Sequence, residues 1–226
     1  ITQDELKTFI GIGPHPVRIR VMDLTDIAQM IEYFASAALR AKQAGFDAIE
    51  LHGAHTYILA GFLSAYANQR EDEYGGPLEN RARLLLDTLR AVKARVGADF
   101  PVWIRLDGEE LYTPGGITLE DAMATAKMCE AAGADAISVS AYATLTSGVV
   151  FTEAPIPQKQ GAYMSNAAAI KSVLKIPVIT AGRIEPEVAA KAIAQGQFDF
   201  VAMARKMLAD PEIPIKLIQN RPQDIR

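Results

Sequence analysis

The sequence predicts an α/β fold of the (β/α)8 TIM-barrel type, and three observations predict it. Short, nearly continuous apolar runs alternate with stretches of helical periodicity, the pattern of parallel strands covered by helices. No GxGxxG follows any apolar run, which argues against a dinucleotide-binding sheet of the Rossmann type. Polar residues gather where the runs end: His52 and His55, then Arg105, Ser140, Gly182-Arg183 and Arg205. In (β/α) barrels the chemistry lies at that end of the strands, and phosphate is commonly held after the last two.

Residues 1–24 read as an irregular segment, with GIGPHP breaking any early helix and VRIRV a strand or an extended arm. Residues 25–226 read as the C-terminal portion of a barrel that binds cofactor and substrate. Ile27, Met30, Ile31, Phe34, Ala38 and Ala41 recur at three- and four-residue steps, predicting a helix capped by Thr25 and stopped at Gly45. A strand over 46–51 follows, then a polar loop and the Gly75-Gly76-Pro77 turn. Leu78, Ala82, Leu85, Leu89, Val92 and Val96 form the stripe of a helix over 78–96, ended by Gly97.

The second strand runs from Val102 and carries Arg105 and Asp107 towards its end. Thr118, with Asp121 three residues on, caps a helix that stops at Gly133. A third strand spans 134–141. The irregular stretch 142–163, with Pro155 and Pro157, reads as a loop over a site. A short helix over 166–174 precedes the strand in IPVITAGRI. Pro186 opens a helix that Gly196 closes, and a fifth strand spans 198–205 before a short helix and a polar exit.

A full barrel has eight such units in about 250 residues. Five strands are clear here, and three further βα units do not fit into 24 residues. The barrel is therefore expected to be incomplete at its N-terminus.

Composition narrows the function classes. The chain has 226 residues and a net charge of −4, with no basic stripe, so a nucleic-acid partner is not expected. No apolar run reaches the roughly 18 residues of a membrane helix. Cys129 is the sole cysteine, which excludes an internal disulfide or an all-cysteine metal site and points to a reducing, cytoplasmic setting.

Two of the three histidines, His52 and His55, sit with Tyr57 where the first clear strand ends. Two imidazoles and a phenol there could polarise a substrate carbonyl and supply a proton; two histidines bonding loop backbone fit the spacing equally well. A zinc site lacks a third ligand, so no metal is expected. Arg105, inside an apolar strand, needs a counter-charge or a ligand: an electron-rich ring, an anion, Asp107 or Glu50. Gly182, Arg183 and Arg205, after two adjacent strands, are consistent with a phosphate site. Glu109 and Glu110 could form an acid/base pair, but GEELYTPGG reads more simply as a solvated loop. Trp103, Met123 and Cys129 read as core. A redox-free lyase or isomerase using His52 and Glu50, or a catalytically silent barrel, remains open on these residues alone.

At HGAHTY, followed by NQREDEYGGPLENRAR, the sequence resembles the Old Yellow Enzyme family of FMN-dependent oxidoreductases. The resemblance runs from about Thr25 to Arg226. The ending FVAMARKMLADPEIPIKL is most similar to the branch of 2,4-dienoyl-CoA and enoate reductases. It implies FMN at the mouth of a (β/α)8 barrel, NAD(P)H as reductant and an activated C=C bond as hydride acceptor. It further implies that His52 and His55 bind the substrate oxygen, that Tyr57 takes part in protonation and that Arg105 contacts the flavin. Gly182, Arg183, Ala204 and Arg205 match the segments that hold the FMN phosphate. An iron–sulfur cluster is implied for a longer parent but not for this chain, and a homo-oligomer is a further expectation. Three departures stand out: Thr56 and Arg183 where the family often has Gly, and Ala204 in place of a frequent Gly.

Overall fold

The computed structural model describes residues 20–143 and 159–225. Helix α1 (Leu24–Gln43) leads into strand β1 (Ile49–Gly53), then α2 (Ile58–Leu63), α3 (Leu78–Arg81) and α4 (Arg83–Val96). Strand β2 (Val102–Leu111), α5 (Leu119–Ala131), β3 (Ile137–Ala143), α6 (Met164–Lys171) and β4 (Val178–Thr180) continue the alternation. Helix α7 (Pro186–Ala194), β5 (Phe200–Val201), α8 (Ala204–Ala209), α9 (Ile213–Ile218) and a 3-10 turn (Pro222–Asp224) complete it.

The five strands form one parallel sheet in the order β1-β2-β3-β4-β5. Crossovers between parallel strands are right-handed, so a strand order that never reverses puts every connecting helix on the same face. A doubly wound sheet would reverse its order at a switch point. This is barrel winding, and the chain forms successive βα units of a (β/α) barrel. No described helix is long and apolar enough to cross a membrane.

Alternation along the strands separates two environments. Leu51, Ile104, Leu106, Ile137, Val139 and Val178 are buried against Leu85, Leu89, Val92, Ala126 and Ile170 of the helices. The residues between them, Glu50, His52, Trp103 and Arg105, point to the other face and are less covered. Trp103, expected in the core, belongs to this face instead, because it sits one step out of register with Val102 and Ile104.

Several boundaries differ from expectation. Helix α1 is capped by Asp23 rather than Thr25: Asp23 accepts from the Asp26 amide and Asp26 accepts from the Asp23 amide, both at 2.9 Å. Thr25 has Ala28 three residues on, which offers no acceptor for that reciprocal bond. The helix expected over 78–96 is present as α3 and α4, joined through Ala82, whose amide still bonds the Leu78 carbonyl. Thr118 caps α5 as expected by accepting from the Asp121 amide, while the Asp121 carboxylate turns to Arg81. Pro186 opens α7. The fifth strand is shorter than 198–205, because Ala204 and Arg205 already belong to α8, whose ARKMLA favours helix. Most of the expected irregular segment at 1–24 and of the loop at 142–163 lies outside the described residues.

Candidate functional site

The site grows from the end of β1. His52 is its penultimate residue and pairs across the sheet with Arg105 of β2, so both face the same side. The chain then leaves the strand through Ala54 into a sharp turn in which His55 and Thr56 hold φ of 59° and 57°. Two successive side-chain-bearing residues in the left-handed region are costly, and Thr is β-branched. The turn doubles the chain back on itself, closed by the Tyr57 amide on the Ala54 carbonyl. His52 and His55 rings stand edge to face at 4.9 Å, and Tyr57 lies 4.8 Å from His52. The three residues read from the sequence are therefore one cluster.

Two groups hold the strained turn. The His55 amide donates to Asp107 Oδ2 at 2.7 Å, and His55 Nε2 lies 2.6 Å from Ser140 Oγ. Asp107 is buried, and dehydration pushes its carboxyl up to about 8, with Glu110 adding to the rise and the His55 amide opposing it. Burial also lowers the His52 imidazole below its ordinary value; Arg105 adds to that fall and Glu50 opposes it. Its Nδ1 is buried with no hydrogen-bond partner among the described residues. A His52 kept neutral acts as a hydrogen-bond donor rather than a fixed cation.

Arg105 donates from Nε to Glu50 Oε1 at 2.8 Å, and Trp103 Nε1 donates to Glu50 Oε2 at 2.7 Å. Of the partners considered for Arg105, Glu50 is the one its Nε reaches. Gly182 and Arg183 follow β4 with φ of 114° and 57°, so Arg183 takes a backbone shape that glycine would favour. Thr180 pairs with Val201, so Arg183 and Ala204 stand three residues past paired positions on β4 and β5. Arg105 thus shares the His52 face of the sheet, and Gly182, Arg183, Ala204 and Arg205 follow two adjacent strands, a set of donors suited to an anionic cofactor. Among the described residues no group of three His, Cys, Asp or Glu could hold a metal ion.

Glu110 corrects the reading of a solvated loop. It lies in β2, is buried, and accepts from Ser64 Oγ at 2.6 Å and from the Ile117 amide at 3.1 Å. Register explains this: Asp107 pairs with Ser140 but Glu110 with Tyr142, so β2 carries one extra residue between them. That bulge turns two carboxylates three residues apart towards one side. Gly108 is its mark in the sequence, since a glycine within a strand often accompanies a bulge.

The polar stretch after the histidines proves to be a fastening. Asn68 Nδ2 donates to the Phe62 and Tyr74 carbonyls, each at 2.7 Å, and Arg70 donates to the Met22 carbonyl at 2.6 Å. Buried Arg81 reaches the Leu63 and Gly76 carbonyls and, at 3.1 Å, Asp121 of α5. A side chain at Gly75 would overlap the Arg70 carbonyl, so only glycine fits. This loop holds α2, and with it the histidine turn, against the helical layer.

A model of the NADH:flavin oxidoreductase / NADH oxidase family matches residues 5–224. An NADH oxidase of Thermoanaerobacter brockii is 42% identical over 220 residues, which are 97% of this chain and 33% of the relative. A cinnamate reductase of Clostridium sporogenes is 34% identical over 227 residues, 93% of this chain and 34% of the relative. The structure of a 2-naphthoyl-CoA reductase with 2-naphthoyl-CoA superposes with a TM-score of 0.83 at 36% identity, over 91% of this chain and 31% of that one. The chain thus spans about a third of the length of these relatives. With the fold, the winding and the family match in agreement, the chain belongs to the NADH:flavin oxidoreductase / NADH oxidase family.

Proposed function

We propose that this chain carries part of the flavin- and substrate-binding face of an FMN-dependent oxidoreductase that takes reducing equivalents from NAD(P)H. Its acceptor is the activated C=C bond of an α,β-unsaturated carbonyl or enoyl compound. The observation that carries this reading is the His52–His55 pair, 4.9 Å apart at the end of β1 and on the face that bears Arg105. The relatives named NADH oxidase and cinnamate reductase support it. FMN, when bound, supplies the hydride chemistry.

The residues of this chain have separate tasks in that reading. Gly182, Arg183, Ala204 and Arg205 would hold the FMN phosphate, and Arg105 would neutralise negative charge on the flavin. His52 and His55 donate to the carbonyl oxygen of the substrate, where negative charge grows as hydride reaches the β-carbon. Tyr57, at the exposed edge of the cluster, supplies a proton to the α-carbon. A lyase using Glu50 as base is disfavoured, because its two oxygens already accept from Arg105 and Trp103.

Replacing His52 and His55 with Ala tests the assignment. The double variant is expected to bind a phenol or an enone at least tenfold more weakly while retaining FMN, since each lost hydrogen bond to a charged oxygen is worth about 1.5–3 kcal/mol. Unchanged enone affinity with FMN retained would contradict it.

A further inference from the structure

Asp107 is the most deeply buried carboxylate near the site, and it addresses one residue twice. Its Oδ2 accepts the amide of His55 at 2.7 Å, while its Oδ1 lies 3.8 Å from Nε2 of the same histidine. Oδ1 is buried with no hydrogen-bond partner among the described residues. The amide bond falls at the first of the two left-handed residues, where the turn most needs a fixed anchor. A carboxyl group this dry, with a basic ring nitrogen as near neighbour, does not titrate alone.

We propose that Asp107 is the positioning residue for His55: one carboxyl oxygen pins the turn through the His55 amide, and the other couples the charge of its imidazole to that of the carboxyl group. Only the catalytic consequence rests on the function proposed above; the coupling itself needs neither flavin nor substrate. The groups facing this pair come from four elements. Arg105 and Glu110 lie on β2 with Asp107, His52 lies on β1, and Ser140 and Tyr142 lie on β3, with Ser64, just past the end of α2, bonded to Glu110. His55 thus has a hydroxyl on Nε2, a carboxyl just beyond it, and an imidazole at its edge. Asp107 was passed over in the sequence because a carboxylate near the end of a strand looks like a partner for Arg105. The structure turns it to the histidine loop instead.

The chain has three histidines, so their ring resonances can be followed by NMR across pH and assigned by single His→Gln replacements. The free protein, without substrate, is sufficient. In the native protein the His55 ring is expected to show a second step where Asp107 titrates, near pH 8, and this step persists in His52→Gln. In Asp107→Asn, which keeps an acceptor for the His55 amide but cannot ionise, the step near pH 8 disappears, while the His52 curve moves less. A His55 curve identical in the two proteins overturns the proposal. If Asp107→Asn does not fold, the native curve alone decides: a single step for His55 overturns it. Absence of enone reduction in the native protein, with the His55 step present there and lost in Asp107→Asn, would count against the function and leave the coupling standing.

Discussion

Arg105, the cross-strand partner of His52, forms an ion pair with Glu50 across β1 and β2, with Nε 2.8 Å from Oε1. The two charges act on the imidazole in opposite senses: Arg105 lowers its affinity for a proton and Glu50 raises it. Glu50→Gln removes the opposing carboxylate and leaves the guanidinium, so the His52 midpoint is expected to fall further below its ordinary value. A histidine NMR titration reads this directly; an unchanged or raised midpoint would show that the Glu50 carboxylate does not support the charge on His52.

The turn at His55-Thr56 stores strain that glycine would release. A left-handed conformation costs an ordinary residue about 1–2 kcal/mol, and glycine returns roughly 0.5–1 kcal/mol of that through its looser unfolded chain. Thr56→Gly is therefore expected to stabilise the protein by about 0.5–1 kcal/mol in urea unfolding. Destabilisation would mean that the Thr56 side chain makes a contribution that its exposure does not suggest.

Asp107 gives the fold a pH dependence with a definite sign. Its carboxyl is raised from 3.8 to about 8 in the folded chain, so the native state holds a proton that the unfolded state releases. The associated stability is fully present below pH 3.8 and is lost as the pH rises to about 8. The loss is on the order of a few kcal/mol. Asp107→Asn should flatten the decline of unfolding free energy between these limits, and a variant with the native slope would contradict the assignment.

Arg81 supports the site from a distance. Arg81→Met strands the Leu63 and Gly76 carbonyls and breaks the pair with Asp121. Removing one partner from such a buried network costs about 3–5 kcal/mol. The midpoint of chemical unfolding should fall accordingly, whereas a shift below about 1 kcal/mol would place Arg81 among surface ion pairs.

These residues also mark how far the sequence could be read. The alternating α/β plan was legible because nearly continuous apolar runs and helical stripes such as Leu85, Leu89 and Val92 are local patterns. The histidine cluster was legible because a strand end is a local feature too. Glu110 was not, since its burial depends on one extra residue in β2 that only the pairing with β3 defines. Asn68 was read as polar loop and Arg81 only as part of a helix, because their partners are backbone carbonyls, which every sequence has. The left-handed turn was visible only as an oddity, Thr56 where glycine is frequent.

The central claim is that this face of the sheet binds FMN and passes reducing equivalents to an activated alkene. Absorbance spectroscopy under anaerobic conditions tests it most directly. The protein with added FMN should retain a flavin band through gel filtration, lose it on addition of NADH or NADPH, and recover it when an enone is supplied. A protein that does not retain FMN, or whose flavin band is not bleached by either nicotinamide, would contradict the account.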